Sequence, residues 1–185
     1  MRRIAAVFAM VVGLGAIVAP SALADEYVCR GSVGARTVDN LKVPDGASCV
    51  LDGTIVQGTI KVETNATLRA TGVQVDGNVQ AEDAMLVVVR GRSKVGGSVQ
   101  IVQGDAARVL RTRVIGDILY DENSRALKAN YNRIGGNLQA FQNTGSVEII
   151  GNRIDGNLQC KANKPAPTGG SNVVEGSKED QCANL

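Results

Sequence analysis

The chain has 185 residues, enough for one domain with a substantial core. Its 20 basic and 18 acidic residues nearly cancel, so no bulk charge draws it to nucleic acid or to a membrane surface. It has no histidine and no tryptophan, and only three tyrosines and two phenylalanines, so the commonest general base and metal ligand is missing and stacking platforms are few.

The first segment reads as a targeting signal. Arg2 and Arg3 give a positive start, Ile4 to Ala19 form an apolar stretch, and Ala22-Leu23-Ala24 offers a small-x-small cleavage site before Asp25. Residues 1–24 are therefore expected to be a signal peptide, and the mature protein to be secreted, extracellular and free of the membrane. Without Arg2 and Arg3, basic and acidic residues are equal in number. Residues 25–37 follow as an N-terminal cap.

From residue 38 to residue 175 the chain repeats. Gly58, Gly77, Gly97, Gly116, Gly136, Gly156 and Gly176 stand at steps of 19 or 20 residues. A period of this size marks a small unit that buries its apolar side only by stacking on its neighbours. Two residues after the glycine come Ile60, Val79, Val99, Ile118, Leu138 and Leu158, and four after it Val62, Ala81, Ile101, Tyr120, Ala140 and Cys160. This alternation reads as a short strand. A second strand recurs mid-unit, as in Met85–Val89, Ala126–Ala129 and Ser146–Ile150, and a third is marked by Val75, Val95, Val114, Ile134, Ile154 and Val174.

Three short strands per unit have no tight hairpins with which to pair inside it, so each pairs with its equivalent one coil away. The expected fold is all-β, a single-stranded parallel β-helix of about seven coils, three strands to a coil. Asn65, Asn123, Asn143 and Asn163 fall seven residues after the repeat glycine. They are expected at a bend, with left-handed backbone angles and amides stacked from coil to coil. Residues 176–185 form a C-terminal cap.

The cysteines follow the same register. Cys29 and Cys49 are 20 residues apart and Cys160 and Cys182 are 22 apart, each close to one coil. Adjacent coils lie about 4.8 Å apart, inside the range a disulfide spans. Pairing within each end is expected, with the two bridges clamping the ends of the stack, where exposed strand edges are most open to other chains.

Units such as Gly77-Asn78-Val79-Gln80, Gly136-Asn137-Leu138-Gln139 and Gly156-Asn157-Leu158-Gln159 carry a likeness. Over roughly Val38 to Gly176 the chain resembles the single-stranded parallel β-helix proteins, among them pectate-lyase-like enzymes, secreted adhesins and filament-forming bactofilins. It also resembles small secreted bacterial β-helix proteins with disulfide caps. The likeness is architectural and implies a packed interior column, with right-handed winding favoured because the coils are longer than those of left-handed hexapeptide helices. It brings no activity with it.

Stacking turns sequence columns into surface ladders. Gln80, Gln100, Gln139 and Gln159 form a polar ladder whose amides can bond along the sheet, with Lys61 and Leu119 in the same column. Lys94, Arg113, Arg133 and Arg153 form a basic ladder, with Arg108, Arg111 and Lys128 expected near it. Like charges about 5 Å apart repel by roughly 1 kcal/mol even in water, unless Asp117, Glu148 or Asp155 pair with them, so an anionic partner is favoured. The expected function is a secreted, non-catalytic structural or binding protein that docks an anionic cell-wall polymer or acidic polysaccharide. Self-association into a filament or matrix is the alternative. A carbohydrate-active lyase or hydrolase is the third reading, resting on Asp117, Asp121 and Glu122 near Arg125 and Arg133. No catalytic residue, metal ligand or cofactor is assigned.

Overall fold

A computed structural model describes residues 26–185. The expected leader lies outside the described residues. Within them the chain is all-β, with 25 strands in three parallel sheets of nine, eight and eight strands. Successive strands pass from the first sheet to the second, then to the third, and back to the first one coil on, as in a parallel β-solenoid with three strands per coil.

The register reproduces the glycine period. Leu41, Ile60, Val79, Val99, Ile118, Leu138 and Leu158 stack in one column of the first sheet, each fully buried. Similar columns line the other two sheets, Leu68, Val87, Ala107, Leu127 and Val147 in the second and Val75, Val95, Val114, Ile134 and Ile154 in the third. Burial of each large aliphatic side chain contributes about 1.5–3 kcal/mol, and because every coil repeats the pattern this stabilisation accrues coil by coil. Tyr120 is the bulkiest group in the column. Its hydroxyl crosses the interior to donate to the Lys128 carbonyl at 2.9 Å, and burial raises its pKa. Its strand partner in the next coil is Ala140, whose small side chain leaves room for the ring.

Residues 26–39 make a shorter first coil, since Glu26 pairs with Asn40. That short coil shifts the first disulfide. Cys29 follows the first-sheet strand Glu26–Val28, whereas Cys49 lies in the second-sheet strand Ser48–Asp52, with Cα atoms 5.6 Å apart. Cys160 and Cys182 pair with Cα atoms 5.2 Å apart, but the strand partner of Cys160 is Asp180. Both expected pairings are present, each offset from a strict same-position stack.

The bends meet the expectation of left-handed asparagines only in part. Asn65 has the expected left-handed backbone (φ 57°), but on later coils that conformation belongs to the residue before the asparagine, Glu122, Gln142 and Ala162. Asn123, Asn143 and Asn163 point inward and are buried. Asn123 Nδ2 donates to Asn143 Oδ1 at 3.0 Å, Asn143 Nδ2 to Asn163 Oδ1 at 2.8 Å, and Asn163 Nδ2 to Gln181 Oε1 at 3.1 Å. Each Oδ1 also accepts the backbone N–H of the preceding coil, so the amides satisfy main-chain groups that the bend removes from the sheets. At the next corner Asn132, Asn152 and Asn172 repeat the arrangement.

Candidate functional site

The third sheet is made of strands only two residues long, so each coil offers one inward and one outward side chain. Lys94–Val95, Arg113–Val114, Arg133–Ile134 and Arg153–Ile154 lie in register, their aliphatic residues buried and their basic residues exposed. The structure therefore brings together all four residues of the expected basic ladder. It also divides them. Arg153 pairs with Asp155 at 3.7 Å and with Glu175, whereas Lys94, Arg113 and Arg133 form no ion pair among the described residues.

The column two residues further along explains the division. It reads Asp76, Gly96, Ile115, Gly135, Asp155 and Glu175, so carboxylates flank the run at both ends and are missing from its three central coils. Gly96 and Gly135 are required by close approach. A Cβ on Gly96 would stand 2.3 Å from the Asp76 carbonyl oxygen, and one on Gly135 would stand 2.4 Å from that of Ile115. Bare backbone beside Lys94 and Arg133 leaves that flank of the ladder low, and between them, on the coil of Arg113, rises the half-exposed Ile115 side chain.

On the other side of the basic column runs the corner that precedes the third sheet. Arg92, Arg111 and Tyr131 occupy it on successive coils, all with left-handed backbone. The Arg92 N–H donates to the Arg111 carbonyl at 3.0 Å, and the Arg111 guanidinium lies 5.8 Å from the Tyr131 ring centroid. Sequence reasoning placed Arg111 near the ladder and missed Arg92 and Tyr131, although both stand two residues before a ladder residue. Arg108 and Lys128 lie elsewhere, in register on the outer face of the second sheet. There Lys128 pairs with Glu148 at 3.1 Å, and the Asn130 amide and the Lys128 ammonium together hold the Glu148 carboxyl below the ordinary range.

The polar ladder on the first sheet forms in two pieces. Gln80 Nε2 donates to Gln100 Oε1 at 3.2 Å, and Gln139 Nε2 to Gln159 Oε1 at 2.8 Å, with Gln159 passing the chain on to Glu179. Leu119 separates the two pieces. A shallow groove of about 820 Å³ lies along the N-terminal part of this face, lined by Lys61, Glu63, Gln80, Glu82 and Asp83 among others.

The carboxylates weighed for catalysis have separate engagements. Asp117 accepts the Asn137 N–H at 2.6 Å, Glu122 accepts from Gln103 at 2.9 Å, and Arg125 pairs with Asp105 at 3.3 Å. Partial burial, and secondarily the neighbouring Glu122 charge, raises the pKa of Asp121. Among the described residues no group of three or more Cys, Asp or Glu side chains is arranged to hold a metal ion. Comparison with protein-family models, with curated proteins and with solved structures gives no match.

Proposed function

We propose that the protein is a secreted, non-catalytic binding or structural protein of the cell surface or extracellular space, which docks an anionic polymer along its third sheet. One observation carries this reading: Lys94, Arg113 and Arg133 stack at strand spacing with no carboxylate partner among the described residues. Arg92 and Arg111 add charge on the same coils. The fold itself forces these cations together, and an anionic chain lying along the solenoid axis relieves their repulsion. The two disulfides suit an oxidising compartment, as does the expected leader. The test is retention of the mature protein on immobilised anionic cell-wall polymer at low and high salt, beside a Lys94→Ser, Arg113→Ser, Arg133→Ser variant. Salt-sensitive retention by the wild type alone is expected; equal retention of both proteins would defeat the proposal.

Self-association is the second reading, and the two ends of the stack favour it. Among the described residues, the first sheet ends in Glu26–Val28 and Lys178–Asp180, the third in Thr37–Val38 and Val173–Val174, with Val28 and Val173 both exposed at these termini. Exposed strand edges invite end-to-end pairing. A sedimentation coefficient that rises with concentration would favour this reading, and one that stays constant would count against it.

A further inference from the structure

We infer that the third-sheet face is a finite subsite for three acidic sugar residues of a linear polyuronate, with Tyr131 as its ring-stacking platform. The inference rests on the polyanion reading of the same face and adds both a length and a chemistry.

The length comes from charge placement. The uncompensated cations occupy three successive coils, those of Lys94, Arg113 and Arg133. Beyond them Asp76 lies on one side and Asp155 with Glu175 on the other, and Arg153 is already neutralised by the latter two. Two coil intervals span about 10 Å. A polyanion thus meets attraction over three charged units and carboxylates after that.

The chemistry comes from what stands beside the charges. Tyr131 and Ile115 are 57% and 51% exposed, and they flank the column on opposite sides. Tyr131 is held by its neighbours, since its ring leans on Gly151, where a Cβ would come within 2.7 Å of Cδ1, and Arg111 sits over it. A phosphate chain has no apolar surface to place against a tyrosine and an isoleucine. A sugar acid has both parts, a carboxylate for the guanidinium and a C–H face for the ring. A lipid surface fits the narrow strip poorly, because the carboxylates at both ends would repel an extended anionic sheet.

Calorimetric titration with mono-, tri- and decagalacturonate, tripolyphosphate and phosphatidylglycerol vesicles tests this on the intact protein. Trigalacturonate is expected to bind nearly as tightly per site as the decamer and far more tightly than the monomer. Tyr131→Asn keeps a residue that tolerates the left-handed backbone, so it should weaken trigalacturonate about fivefold and leave tripolyphosphate unchanged. In Asp155→Asn, Glu175→Gln the run lengthens by one coil, and the preferred oligomer should lengthen by one sugar. If tripolyphosphate or vesicles bind as well as trigalacturonate, or affinity climbs steadily to the decamer, this inference is overturned while the polyanion reading stands. If no anion binds, both fall.

Discussion

Two of the columns of like side chains that run along this solenoid behave oppositely. At the corner between the first and second sheets, Asn123, Asn143 and Asn163 are buried and bonded head to tail, ending on Gln181. On the outside of the third sheet, Lys94, Arg113 and Arg133 stand in register with no such bonds. An amide carries donor and acceptor together, so each new coil satisfies the last one. A guanidinium or ammonium carries donors only, so each new coil adds repulsion. Repetition of one residue therefore stabilises the first column and leaves the second in want of an anion.

The largest expected effect comes from breaking the asparagine column. Asn143→Leu strands the Asn123 backbone N–H in the interior, removes one of the two acceptors of the Asn123 amide nitrogen, and should cost about 3 kcal/mol, read as a lowered urea midpoint. Binding of polyanions by the folded fraction should not change. An unchanged midpoint would mean that the column contributes nothing beyond packing.

Arg113→Glu tests the opposite side of the comparison. With an acid placed between Lys94 and Arg133, charge alternates down the column. Polyanion affinity should fall about tenfold or more, while unfolding stability rises by roughly a few tenths of a kcal/mol. A variant that binds as tightly as the wild type would place the site elsewhere. Between these extremes lies the glutamine ladder, exposed but self-bonded. Gln139→Ala removes its bond to Gln159 and should cost about 0.5 kcal/mol, visible as a small shift in Tm.

The smallest effect concerns Lys128 and Glu148, where the second sheet already shows alternating charge. The folded carboxyl of Glu148 lies below its unfolded value, so its contribution is present above the ordinary carboxylate range and is lost as pH falls through the folded pKa. Wild type should therefore be slightly more stable than Glu148→Gln near neutrality, and the gap should close on acidification. A gap that widens in acid would reverse the assignment.

Much of the fold could be read in the chain because every rule was repeated coil after coil. Residues such as Val79, Val99 and Ile118 announce the same strand, and the disulfide partners follow from the period. The inward turn of Asn123, Asn143 and Asn163 was less legible. Left-handed bends and buried amide ladders both favour asparagine, and only the neighbouring φ angles separate them. The basic column was visible as spacing, but its limits were not. Arg153 reads like Arg133 until Glu175, one coil away, is seen to reach it.

What the sequence by itself determined is periodic: three strands per coil, inward aliphatic columns, clamped ends and a line of cations. Each depends on identity at a fixed step and needs no knowledge of angle. What the tertiary structure decided is lateral. The corner brings Arg92, Arg111 and Tyr131 beside the ladder, and glycine at 96 and 135 clears a shelf on its other flank. Arg108 and Lys128 go to a different face altogether. Those choices depend on where each bend falls around the coil, a rotation that a linear period does not encode.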